Sequence, residues 1–220
     1  MVARTLPPYI LGLDLGQAAD YTALGILERI GPRPATYHLR YIARLALGTE
    51  YPDVVAHVGD LMARPPLAGN VRLVVDATGV GRPVVDLLRR AGLDPVAVSI
   101  TGGDAVAYDG LGYKVPKRDL VQSLLVLYQS DRIKIAEGLP QAATLIQELL
   151  NFRVKINVAT AHDSYEAWRE SAHDDLVLAV AMAAWYAEHI ARHSRPARSY
   201  SGAPPLEGED SRVSPGIITV

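Results

Sequence analysis

Apolar and polar residues alternate in three segments near the start of the chain, a pattern that predicts β-strands. The segments are residues 9–16, 22–30 and 36–47, and short turns containing Gly, Pro or Asp separate them. Turns of this length join antiparallel neighbours in a sheet. The first part of the chain is therefore predicted to be an antiparallel β-meander.

After the meander, strand-like and helix-like patterns alternate. We predict helices over residues 51–63, 81–92, about 116–132 and 139–151, and strands over residues 71–77, 95–100 and 133–136. A long helix over residues 171–192 follows. This order predicts an α/β fold, in which helices cover both faces of a mixed sheet.

Two segments lack a clear periodicity. Residues 152–169 alternate loosely and are polar in the middle, which indicates a projecting β-hairpin or, alternatively, an irregular surface loop. Residues 194–220 are rich in Pro, Gly and Ser, which is typical of a disordered tail. We therefore expect one folded domain over residues 1–193 and a tail over residues 194–220.

The composition narrows the chemistry that this domain can perform. Of its 220 residues 49% are hydrophobic and 21% charged, the balance of a folded globular chain. It has no cysteine, so disulfides, thiolate zinc sites and cysteine nucleophiles are excluded. Its net charge of −2 predicts that a nucleic acid would be held by a local patch or through a metal. The longest apolar run, residues 176–187, is too short to span a bilayer, and we expect no membrane partner.

Acidic residues stand at the ends of two predicted strands. Asp14 interrupts the apolar stretch LGLDLG, and Asp76 follows the apolar stretch in RLVVDATGVG. A buried charge is costly unless it is paired, hydrogen-bonded or bound to a cation. Each residue could instead cap the turn that follows it. Because ligands collect where neighbouring strands of such sheets end, the two carboxylates could face one another there.

A third acidic position lies at the start of the most apolar helix, in SAHDDLVLAVAMAAWYA. Asp174 could form a capping box with Ser171, but Asp175 exceeds what capping needs. His173 could be a ligand, a base that positions water, or only a residue at the helix start. Three or four gathered carboxylates fit a pair of Mg²⁺ or Mn²⁺ ions, the arrangement that clamps a phosphodiester during its hydrolysis.

In these residues the chain resembles the RNase H-like nuclease domain of the large terminase subunit, which packages phage DNA. The resemblance extends over residues 9–190 and rests on GLDLGQAADYTALGILE, VVDATGVGRPVVDLL, VPKRDLV and YEAWRESAHDDLVLAVAMA. It implies an RNase H-like, mixed five-stranded sheet with the β-meander. It also implies endonucleolytic cleavage of double-stranded DNA in the cytoplasm of a phage-infected or lysogenic host cell.

The resemblance also implies roles for particular residues. Asp14, Asp76 and Asp174 or Asp175 would hold two Mg²⁺ or Mn²⁺ ions. Asp20 and His173 would lie next to these ligands without binding the ions themselves. The residues expected to contact the DNA backbone are Lys117, Arg118, Arg153, Lys155 and Arg169.

The chain has no ATP-binding Walker A motif, unlike a complete large terminase subunit. It would therefore act with a terminase ATPase domain or small subunit and the portal as partners. Three other functions agree with parts of the pattern: a junction resolvase of RuvC type, a fragment of an actin-like or sugar-kinase-like ATPase, and a non-catalytic docking domain.

Overall fold

The structure is a computed structural model that describes residues 7–16, 20–79, 81–136, 138–159 and 174–193, without the side chains of residues 152–159. Its strands are β1 (Tyr9–Asp14), β2 (Ala23–Ile30), β3 (Thr36–Arg44), β4 (Val71–Asp76), β5 (Val96–Thr101), β6 (Ala107–Tyr108), β7 (Tyr113–Pro116) and β8 (Ile133–Ile135). Its helices are α1 (Tyr51–Ala63), α2 (Gly81–Arg90), α3 (Lys117–Gln129), α4 (Ala142–Ala159) and α5 (Asp175–His193).

All the strands belong to one mixed sheet, in the order β6-β7-β5-β4-β1-β2-β3-β8. The antiparallel meander β1-β2-β3 is confirmed, and β4 pairs in parallel with β1. The sheet has eight strands rather than the expected five. The strand predicted over residues 133–136 is confirmed as β8, and the strands that were not predicted are β6 and β7, which have two and four residues. Strands this short carry too few residues for a reliable alternation of apolar and polar positions.

The hairpin predicted over residues 152–169 is wrong in its first half, because α4 continues to Ala159. The remainder of that segment lies outside the described residues. Three residues at helical spacing, Ala142, Leu145 and Leu149, are buried and hold the start of this helix against the core. The structure instead has a small antiparallel hairpin formed by β6 and β7, which leads directly into α3.

Helices cover both faces of the sheet, as predicted. One apolar cluster joins α3, α4 and α5 to one face, and a second joins α1 and α2 to the other. Side chains of successive strand residues alternate between them: Ile10 belongs to the first cluster and Leu11 to the second. In the part of the chain that the structure describes, no helix has the length and apolarity needed to cross a membrane.

Helix α5 is the central element of the first face. All its residues from Leu176 to Ala187 are buried, and the helix packs directly on the backbone of the meander. A Cβ atom at Gly12 would lie 1.9 Å from the carbonyl oxygen of Ala179, and one at Gly25 would lie 2.7 Å from Cγ2 of Val180. Glycine is thus required at both positions by the close approach of helix and strand.

An ion pair fixes the second half of α5. Glu188 accepts a hydrogen bond of 2.8 Å from the Tyr37 hydroxyl, and Arg132 Nη2 contacts the same carboxylate at 2.5 Å. Tyr37 lies on β3 and Arg132 immediately precedes β8, so this contact joins α5 to the two outermost strands on one side of the sheet.

The close contact of α5 with β1 can be tested by substitution. Gly12→Ala should lower the free energy of unfolding by about 1–3 kcal/mol or more, because the added methyl group meets a backbone carbonyl that cannot move aside. Urea unfolding followed by circular dichroism measures the change. Gly59→Ala in α1, where a Cβ atom meets nothing within 4 Å, is the matched control and should not destabilise the protein. Equal stability of the two variants would contradict this account of the packing.

Candidate metal centre

Asp14 and Asp76 lie side by side where two central strands of the sheet end. They are the last residues of β1 and β4, which are parallel neighbours with Leu13 opposite Val75. Their carboxyl groups are close enough for the charge of Asp76 to raise the pKa of Asp14. Asp14 is only 8% exposed. The two strand-end acids predicted from the sequence are therefore close together, in a largely buried position.

The charged form of Asp14 is strongly disfavoured at this position. Burial raises the pKa of Asp14 well above its usual range, and the neighbouring charges of Asp76, Asp174 and Asp175 raise it further. Burial also raises the pKa of Asp76, and less strongly. The pair therefore favours any group that offsets its negative charge.

Thr78 fixes the orientation of Asp76. The Thr78 backbone N–H and hydroxyl both donate to Oδ1 of Asp76, at 2.8 and 2.5 Å. The Thr78 hydroxyl in turn accepts a hydrogen bond of 2.7 Å from the Ile100 backbone N–H on β5. These hydrogen bonds partly offset the effect of burial, which raises the pKa of Asp76. Asp76 thus shapes the turn after β4 and also faces Asp14, so the two interpretations of this residue are compatible.

Asp174 and Asp175 approach these strand ends from the start of α5. Lys117, the first residue of α3, contacts Oδ2 of Asp174 through its Nζ at 2.6 Å. Arg44, the last residue of β3, binds both oxygens of Asp175: Nε lies 2.7 Å from Oδ2 and Nη2 lies 2.8 Å from Oδ1. Two side-chain cations therefore neutralise part of the negative charge that the fold gathers here.

Arg44 and Glu148 were not recognised in the sequence. Glu148 on α4 is 8% exposed. Its Oε1 accepts from Arg44 Nη2 at 2.5 Å and its Oε2 accepts from the Val177 backbone N–H at 3.2 Å. Burial raises the pKa of Glu148 to about 7, with contributions from the charges of Asp175 and Asp174. The available signal was its spacing, because Glu148 shares a helix face with the buried Leu145 and Leu149.

The other residues predicted for the site are placed less centrally or are not described. Asp20 is exposed and lines a surface cavity of about 410 Å³ with Thr22 and Tyr51. Arg118 follows Lys117 but pairs with Asp104 at 3.0 Å and Asp119 at 3.5 Å. Arg153 and Lys155 lie on α4 with side chains that are not described, and Arg169 and His173 lie outside the described residues.

The donor chemistry of this centre fits a hard divalent cation. Its candidate ligand atoms are carboxylate oxygens, the kind that Mg²⁺ and Mn²⁺ prefer. Among the residues described, no three or more acidic or histidine side chains are already arranged around one point as a metal site. Lys117 and Arg44 contact carboxylate oxygens that an ion would use.

The sequence matches the model of a family described as the terminase RNaseH-like domain, over residues 11–186. A comparison with curated proteins finds no match.

Solved structures with the same fold come from several viruses. The large terminase nuclease from thermophilic phage G20c is 21% identical, with a TM-score of 0.55 over 80% of this chain and 81% of that one. The Mn-soaked human cytomegalovirus terminase nuclease domain is 13% identical, with a TM-score of 0.53 over 89% and 91% of the two chains. The large terminase of bacteriophage HK97 is 13% identical, with a TM-score of 0.51 over 83% of this chain and 40% of that one.

At these identities the structural likenesses establish the RNase H-like fold, as expected from the sequence. The family match adds more, because it spans most of the chain and includes both strand-end aspartates and the first half of α5. The chain belongs to the family of terminase RNaseH-like domains.

Proposed function

We propose that this protein is a metal-dependent endonuclease that cleaves double-stranded DNA during phage genome packaging. The observation that carries the proposal is the proximity of the buried Asp14 and the half-buried Asp76, with the charges of Asp174 and Asp175 close enough to raise the Asp14 pKa. A fold that gathers like charges in a buried position must neutralise them, and divalent cations do so while supplying catalytic power.

Asp14, Asp76 and Asp174 are the residues that we propose as ligands of two Mg²⁺ or Mn²⁺ ions, and Asp175 would join them once released by Arg44. When bound, such ions activate a water for in-line attack on the phosphorus and stabilise the leaving 3′ oxygen. The Mn-soaked cytomegalovirus nuclease domain, which shares this fold, supports the choice of ion. The family to which the chain belongs supports DNA as the substrate.

The surrounding residues would orient the carboxylates and the DNA. Thr78 donates to Oδ1 of Asp76 and so would leave Oδ2 as the oxygen that binds an ion. Lys117 lies beside Asp174, where its ammonium group could meet a backbone phosphate. Arg118, Arg153, Lys155 and Arg169 remain predictions as further contacts to DNA.

The cellular setting follows from the family. We propose that the domain works in the cytoplasm of an infected or lysogenic host, where a terminase ATPase domain or small subunit and the portal would bring DNA to it. In that setting the nuclease would depend on its partners for most of its grip on DNA, which agrees with the net charge of −2.

Cleavage of supercoiled plasmid tests the proposed activity. Nicking or linearisation should require Mn²⁺ or Mg²⁺, stop in EDTA, and fall by about a hundredfold or more in Asp14→Asn and Asp76→Asn, because each loses a charged ligand. The amide variants should remain folded, since they relieve repulsion in a buried pair. Asp86→Asn on α2, whose carboxylate is 65% exposed and pairs with Arg89, is the control and should cleave normally. Cleavage that persists in EDTA or in Asp76→Asn would refute the proposal.

The orienting role of Thr78 gives a separate prediction. Thr78→Val keeps the shape of the side chain but removes the hydroxyl, which leaves the Ile100 N–H unpaired and Asp76 with one hydrogen bond fewer. We expect Mn²⁺ affinity and nicking rate to fall about tenfold, and Thr78→Ser to retain both. If Thr78→Ser is impaired as severely as Thr78→Val, the hydroxyl is not the group that matters.

A further inference from the structure

The guanidinium of Arg44 is surrounded by two carboxylates and an aromatic ring. Its side chain is 14% exposed. One edge faces Asp175 and Glu148, and the ring of Tyr21 lies against its face with the centroid 4.9 Å from Cζ. A buried arginine that donates to both oxygens of one carboxylate forms the strongest type of side-chain ion pair. Asp175 is therefore held much more firmly than an exposed acid at a helix start.

The neighbouring acid is held differently. Asp174 has 30% of its side chain exposed, and Lys117 contacts its Oδ2 atom. A lysine ammonium is a single point charge and does not bind both oxygens of a carboxylate as a guanidinium does. The two adjacent aspartates thus differ in how readily their oxygens can reach a metal ion.

We propose that Arg44 competes with the divalent metal for the carboxylate of Asp175. Asp175 can bind an ion only after it has separated from Arg44. The inference rests on the proposed metal site and names a residue that controls how that site fills. An ion that uses an oxygen of Asp175 must replace at least one of two charge-assisted hydrogen bonds. Metal binding at Asp14, Asp76 and Asp174 carries no such cost from Arg44.

Glu148 makes the exchange feasible. A buried arginine that lost its only partner would be strongly disfavoured. Arg44 Nη2 contacts Glu148 as well as Asp175, so the guanidinium can surrender Asp175 and keep a buried carboxylate beside it. The Val177 backbone N–H holds Glu148 in place for this role.

Direct measurement of Mn²⁺ binding tests the competition without relying on catalysis. Binding to the full chain can be followed by calorimetry and by the electron paramagnetic resonance signal of free Mn²⁺. Arg44→Lys keeps the positive charge but loses the second hydrogen bond to Asp175, so we expect Mn²⁺ to bind about tenfold more tightly than to the wild type. Arg40→Lys is the matched control, because Arg40 also lies on β3 but pairs with Glu28; its affinity should not change.

A double variant shows whether the effect passes through Asp175. In an Asp175→Asn background no carboxylate remains to be released, so adding Arg44→Lys should leave Mn²⁺ affinity unchanged. Thermal unfolding checks that each variant is folded. If Arg44→Lys does not fold, Arg44→Gln serves instead, since it also breaks the paired contact and should likewise tighten Mn²⁺ binding.

Several results would overturn the inference. A folded Arg44→Lys protein that binds Mn²⁺ no more tightly than the wild type would show that Arg44 does not compete. A gain of equal size in the Asp175→Asn background would show that Asp175 is not the group withheld. The proposed function fails separately, if wild-type protein and Arg44→Lys bind no Mn²⁺ or if Asp14→Asn leaves binding intact.

Discussion

The contact between α5 and the backbone of the meander is the constraint on which the remaining structure depends. Gly12 and Gly25 let the helix approach the strands until atoms of Ala179 and Val180 fill the space that side chains would need. The start of α5 is thereby fixed where β1 and β4 end. Asp174 and Asp175 come close to Asp14 as a consequence of that packing, although Asp174 lies 160 residues after Asp14 in sequence.

The same packing brings several carboxylates close together, and nearby groups offset the repulsion between them. Asp174 contacts Lys117 and Asp175 contacts Arg44, while burial and the neighbouring carboxylates disfavour the charged form of Asp14. The two cations differ in chemistry and in burial, and both lie on carboxylates that are candidate ligands of a divalent ion.

The sequence predicted those parts of the fold and site that short segments determine. The meander, the alternation of strands and helices, and the strand-end positions of Asp14 and Asp76 follow from local patterns, and the structure agrees. The continuation of α4 past Asn151 was missed because helix and strand patterns are ambiguous where polar residues interrupt them. Arg44 and Glu148 were missed because their partners are distant: Arg44 lies 131 residues from Asp175 and 104 from Glu148. No local pattern encodes such pairs.

The absence of free space between α5 and the strands has a consequence for how this centre can move. A helix seated on strand backbone at Gly12 and Gly25, and tied by Glu188 to Tyr37 and Arg132, cannot slide or turn without separating from the sheet. Under the proposed function, an ion would therefore be admitted by rotation of side chains such as Arg44 and Lys117 about their own bonds, with α5 held in place on the sheet. Such rotations differ in kind from the microsecond to millisecond motions of whole elements.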